Sequence, residues 1–135
     1  MTLNYFDITK SYTDLEQSKN LAEILPIESA DMTWGKIAES LTEDFTWKPT
    51  VGLDRAIKDN LFSYRNGYVL PCWSLAALLK LIPKEQHPIL MLNAHYKWVC
   101  AICKPISFTY KPTVGDNPLE AVFEMLCYLK ENKLL

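Results

Sequence analysis

The sequence predicts an α+β fold, with helices packed on one face of a small antiparallel sheet. Two observations carry that prediction. A stripe of apolar residues at i, i+3, i+4 and i+7 recurs in three segments and marks helices with one buried face. Beyond Pro83 the period changes from 3.6 to 2, and apolar side chains alternate as they do in half-buried strands. At 135 residues, 49% hydrophobic and 22% charged, the chain is read as a single domain over 1–135 with a real core.

The first helix is expected over about 13–25. Thr13 with Glu16 three residues on resembles a capping box, and Pro26 ends the segment. A second helix is expected over about 33–42, where Trp34, Ile37, Ala38 and Leu41 fit the helical template and Asp31 or Thr33 is available as cap. Residues 43–70 read as irregular and loop-rich. Within them Phe45, Trp47, Lys48 and Pro49 suit a short edge strand, and Leu53 to Tyr64 has partial helical periodicity. Asn66-Gly67 suits a helix stop or a hairpin turn.

The clearest element is the central helix, expected over about 74–82. Pro71 biases Leu70 toward extended backbone, Ser74 offers a cap, and Leu75, Leu78, Leu79 and Ile82 form the apolar stripe before Pro83. Three short strands follow within about 88–110: Ile89 to Leu92, then Tyr96 to Cys103, then Ile106 to Tyr110. Their short connections predict an antiparallel meander. The last helix is expected over about 118–132, with Asn117 as cap, Pro118 at its first position and Leu119, Val122, Phe123 and Leu126 on its buried face.

Composition excludes several classes of function. The net charge is −2, so a dominant phosphate-binding surface is not expected. No apolar run approaches a bilayer span, and the N-terminal residues lack the basic start and apolar stretch of a signal peptide. Four cysteines without a secretory signal read as reduced thiols of a cytoplasmic protein.

Candidate chemistry is sparse. Cys100-Ala-Ile-Cys103 is the one short motif with a chemical reading: two thiolates can ligate zinc or form a redox pair, with Cys72 and Cys127 available to complete a four-sulfur site. On a strand, however, residues three apart point to opposite faces, so structural cysteines are the preferred reading. His87 and His95 flank the first strand of the meander without a recognisable catalytic partner. Ser74 lacks the Gly-x-Ser-x-Gly elbow of a hydrolase nucleophile, and the four glycines form no phosphate loop. Tyr96, Trp98, Phe108 and Tyr110 occupy like positions on neighbouring strands. Such a stripe can stack bases, but it reads better as the core face of the sheet. Trp47, Tyr64 and Trp73 are the candidates for a partner-binding surface, the tryptophans because large aromatics are enriched at interfaces.

Three blocks, Ser29 to Trp34, Leu70 to Leu79 and Asn117 to Asn132, are similar to a family of small uncharacterised proteins from phages and integrated mobile elements of gut bacteria. That resemblance implies a cytoplasmic accessory role and supplies no catalytic residue or cofactor. The expectation is a non-enzymatic protein that binds another protein, inhibition of a host protein being one form of this. No cofactor is expected. A single-stranded nucleic-acid module and a metal or thiol activity at Cys100 and Cys103 are the alternatives.

Overall fold

The computed structural model describes residues 11–38, 45–51, 69–104 and 109–135. They form three α-helices and two three-stranded antiparallel sheets, so the α+β class holds while the single sheet becomes two. The chain divides into two compact units, Thr13–Ser74 and a second that combines the N-terminal residues through Tyr12 with Leu75–Leu135.

In the Thr13–Ser74 unit, α1 spans Leu15–Ile24. Its cap lies one residue later than the sequence predicts. Asp14 accepts from the Gln17 amide at 2.7 Å, and the Gln17 side chain accepts from the Asp14 amide at 3.1 Å. Those two bonds form the capping box. Thr13 is displaced from capping because its side chain is fully buried and engaged elsewhere. The helix ends before Pro26, as predicted.

The expected helix over 33–42 is instead strand β1, Met32–Ala38; positions 39–42 lie outside the described residues. β1 is central in the order β2-β1-β3, with β2 at Phe45–Val51 and β3 at Val69–Cys72. It pairs Trp34 with Pro49 on one side and with Leu70 on the other. Trp34, Ile37 and Ala38 fit a helical stripe, and Lys36 interrupts the alternating one. Two non-local partners decide for the strand, a case of tertiary pairing overriding a local pattern. The edge strand around Phe45 to Pro49 is found as β2. With β3 it replaces part of the irregular region expected over 43–70, whereas Leu53 to Tyr64 and Asn66-Gly67 lie outside the described residues.

In the second unit, α2 spans Leu75–Leu81 and its first amide donates to the Ser11 carbonyl at 2.8 Å. A 3-10 turn at Lys84–Gln86 leads into β4, Pro88–Leu92. β5, Trp98–Lys104, is the central strand of the order β4-β5-β6, and β6 is Thr109–Gly115. The meander topology is as predicted. Its third strand lies later than expected, starting at Thr109, and positions 105–108 are outside the described residues. Tyr96 leaves the second strand for the turn, where its φ is 59°.

α3 spans Pro118–Glu131, with the Asn117 side chain accepting from the Glu120 amide at 2.9 Å and Pro118 at the start of the helix. It packs on β5 and β6 and against α2. Leu119, Val122, Met125, Leu126 and Leu129 are fully buried, while Phe123 is only partly buried at the margin of the stripe. Burying side chains of this kind contributes about 1.5 to 3 kcal/mol each before conformational entropy is subtracted.

Candidate interaction surface

The register of the second sheet sorts its side chains into two faces. Thr113 donates its hydroxyl to the Ala121 carbonyl at 2.7 Å, which places Thr113 under α3. The Lys111 ammonium lies 5.0 Å from the Tyr128 ring centroid on that same side. Cys100 and Ile102, opposite Thr113 and Lys111, therefore belong to the helix-covered face and are buried.

The other face carries the alternate positions. Its central row, from β5, is Val99, Ala101 and Cys103, small side chains of which the first two are buried. Ile89 and Met91 of β4 stand opposite Ala101 and Val99 on one side. Val114, Pro112 and Tyr110 of β6 stand opposite Val99, Ala101 and Cys103 on the other. Ile89, Met91, Tyr110 and Val114 remain 41% to 54% exposed. The surface is thus a shallow valley of small residues between two apolar ridges. None of its eight positions carries a charge. Exposed apolar side chains are ordinary one at a time, and this contiguous set on one sheet face is the candidate contact surface.

The aromatic stripe is not the core face expected of it. Trp98 is half-buried on the helix-covered side, Tyr110 points to the opposite face, and Tyr96 is 60% exposed in the turn; Phe108 lies outside the described residues. The sequence places these residues on one face because it aligns the third strand too early. Period-2 spacing of Tyr110, Pro112 and Val114 was the signal for the outer face.

Of the partner-binding candidates, Trp47 is half-buried on the outer strand β2 and Tyr64 is outside the described residues. Trp73 is not a surface residue. It is fully buried, and its indole N–H donates to the Ser29 hydroxyl at 2.9 Å. Its partner satisfies the one polar group of a large apolar ring, which is how a buried tryptophan is accommodated.

A buried polar cluster beside Trp73 was not visible in the sequence. The Thr13 hydroxyl lies 2.8 Å from the Ser18 hydroxyl, accepts from the Trp73 amide at 3.1 Å and reaches the Cys72 thiol at 3.6 Å. The Thr13 carbonyl accepts from the Trp34 indole at 2.9 Å and from the Cys72 thiol at 3.5 Å. One proton arrangement serves all of these groups: Thr13 accepts from Ser18 and from the Trp73 amide, and donates to Cys72. Burial, partly offset by the Thr13 and Ser18 hydrogen bonds, pushes the Cys72 thiol up. The cluster ties helix to strand and presents no reactive thiolate.

Cys100 and Cys103 fall on opposite faces of β5, and burial pushes the Cys100 thiol up to about 11. Among the described residues no group of three or more His, Cys, Asp and Glu side chains is placed to hold a metal ion. His87 is exposed at the end of the 3-10 turn with φ 50°, and His95 is exposed in the β4–β5 turn, where its amide donates to Asn93. The Ser74 hydroxyl and amide both donate to Asp31, at 2.5 and 2.9 Å. Among the described residues no helix is long and apolar enough to cross a membrane. Compared with protein-family models, with curated proteins and with solved structures, the chain matches none.

Proposed function

We propose that this protein is a non-enzymatic interaction module whose contact surface is the outer face of the β4–β5–β6 sheet. The observation that carries the reading is the uncharged ridge-and-valley surface, with four large apolar side chains roughly half-exposed around buried Val99 and Ala101. Burying that surface against an apolar partner strands no charge, the condition met by the centres of protein interfaces. The resemblance to phage and mobile-element proteins adds an accessory role in the cytoplasm, and inhibition of a host protein is one form that such binding takes.

The alternatives have less behind them. A single-stranded nucleic-acid module needs cations beside its stacking platform. The outer face has none, Lys97 is paired with Asp116 and Lys111 lies over Tyr128 on the helix side. A thiol activity at Cys100 and Cys103 would have to join two side chains on opposite faces of one strand.

The test is affinity capture from the native host's lysate with the parent chain and with Val114→Lys as baits. A protein retained by the parent and lost by the variant, at unchanged melting temperature, supports the assignment. Equal capture by both baits places the contact elsewhere and overturns it.

A further inference from the structure

We infer that the outer edge of β4 takes up an extended, uncharged segment of a partner protein as an added strand of the β4–β5–β6 sheet. The inference rests on the preceding reading of this protein as an interaction module, and it names the mode of contact alongside the same face.

The phase of the ladder decides which backbone groups are spare. The Cys103 amide donates to the His87 carbonyl at 3.4 Å, and the Asn93 amide donates to the Lys97 carbonyl at 2.8 Å. These bonds stand at opposite ends of the β4–β5 ladder, just outside the pairs Pro88–Ile102 and Leu92–Trp98. Facing residues of an antiparallel ladder alternate between bonded and non-bonded pairs. Ile89 and Met91 therefore turn their backbone groups toward β5, whereas Pro88, Leu90 and Leu92 turn theirs away from it. β4 is the outermost strand on that side of the sheet. Leu90 and Leu92 thus present two N–H and two C=O groups outward, without hydrogen-bond partners among the described residues. Donors and acceptors alternating along an extended line match the main chain of another strand. A helix has no such row to offer, because its own groups are bonded internally.

The prolines single out this edge. Ala101 gives its backbone groups to Ile89, so its pair with Pro112 on the β6 side is non-bonded and the proline nitrogen faces outward, between Tyr110 and Val114. A strand added to β6 would meet a missing donor in the middle of the row. Pro49 lies within β2 and Pro71 within β3 in the same way. β4 has its proline at the first position and carries no charged side chain. Interior prolines and charges are the usual protection of an outer strand, and β4 alone of the four lacks the interior proline.

Side chains set the chemistry of the segment. Ile89 and Met91 on the outer face and Leu92 on the opposite one are 41% to 48% exposed, so an added strand meets apolar neighbours on both faces. A charged residue placed among them would lose water without gaining a counter-ion.

The experiment selects displayed random peptides of about six residues, the length of a short strand, on the full chain. The selected peptides should be uncharged along their centre. Leu90→Pro should weaken their binding about tenfold or more, the worth of one or two main-chain hydrogen bonds. The Leu90 amide faces away from β5, so this substitution removes no bond of the ladder. Leu90→Val, which keeps the amide, should bind like the parent. Melting temperatures confirm that both variants are folded. A peptide methylated at its backbone nitrogens should lose binding to the parent itself, which reads the same bonds without any variant. In the complex, hydrogen exchange at the Leu90 and Leu92 amides should slow about tenfold or more.

Failure to select any peptide overturns strand addition. So do peptides that bind Leu90→Pro as well as the parent, or unchanged exchange at those two amides. A parent that dimerises through β4, with Leu90→Pro monomeric, overturns the partner-protein assignment in favour of a second copy. Failure of the underlying reading is distinct, because it is read from whether Val114→Lys, on the far strand, loses a captured protein.

Discussion

In the Thr13–Ser74 unit the helix is fastened to its strand by directional hydrogen bonds, whereas in the second unit α3 is held to its sheet chiefly by apolar area. Thr13 gathers Ser18, Cys72, Trp73 and Trp34 through its hydroxyl and carbonyl. α3 instead buries Leu119, Val122, Met125, Leu126 and Leu129, with a hydrogen bond from Thr113 to the Ala121 carbonyl beside them. The difference teaches where each unit is brittle. A satisfied buried polar cluster fails when one partner is removed, since the others keep their desolvation cost. An apolar stripe fails in proportion to the volume deleted.

Truncating the apolar stripe should have the largest effect. Leu126→Ala removes a fully buried side chain from α3 and should destabilise by about 2 to 5 kcal/mol, read as a lower denaturant midpoint. Phe123→Ala should cost less because that ring is only partly buried. Equal losses at the two positions would show that the helix is docked on a different stripe.

The buried thiol beneath α3 sharpens the comparison through pH. Burial raises Cys100 from 9.0 in the unfolded chain to about 11 in the fold. The fold therefore favours the neutral thiol. Its contribution is complete below pH 9, declines between 9 and about 11, and is then lost, a span worth about 2 to 3 kcal/mol. Cys100→Ala has no thiol to ionise, so the stability of the parent relative to the variant should fall by that order across the window. A constant difference would mean that the thiol reaches water in the folded state.

Thr13→Val tests the polar cluster at nearly constant volume. It leaves the Trp73 amide and the Ser18 hydroxyl without the acceptor they share, and should cost about 1 to 3 kcal/mol. The Thr13 carbonyl keeps its bond from Trp34, so the loss belongs to the hydroxyl alone. A neutral substitution would reduce the contrast between the units to one of packing.

How far the sequence reveals the molecule follows the same division. Elements stabilised by neighbours in sequence were legible: the α3 stripe with its Asn117 cap and Pro118, the helix ahead of Pro26, the meander. Those that depend on distant partners were not. β1 is a strand because residues 45–51 and 69–72 flank it, and no local period encodes that pairing. Trp73 is buried because Ser29 and Thr13 converge on it from far along the chain. The outer face of the second sheet was missed because a misplaced third strand reverses which of its alternating residues face outward.

Two glycines carry expected effects of opposite sign, the second of them the smallest. Gly115 ends β6 against the first turn of α3, and a β-carbon built there would lie 2.6 Å from the Ala121 nitrogen and 2.7 Å from the Glu120 β-carbon. Backbone cannot yield at that distance without lifting the helix start from the sheet, so Gly115→Ala should cost about 1 to 3 kcal/mol. Gly35, in the middle of β1, has nothing within 4 Å of the same position. Alanine there restricts the unfolded chain without a clash and should stabilise by about 0.4 to 1 kcal/mol. Thermal melting of the two variants against the parent measures both. A loss at Gly35 comparable to that at Gly115 would mean that β1 is covered as closely as β6, and the contrast in how the two sheets meet their surroundings would fail at that point.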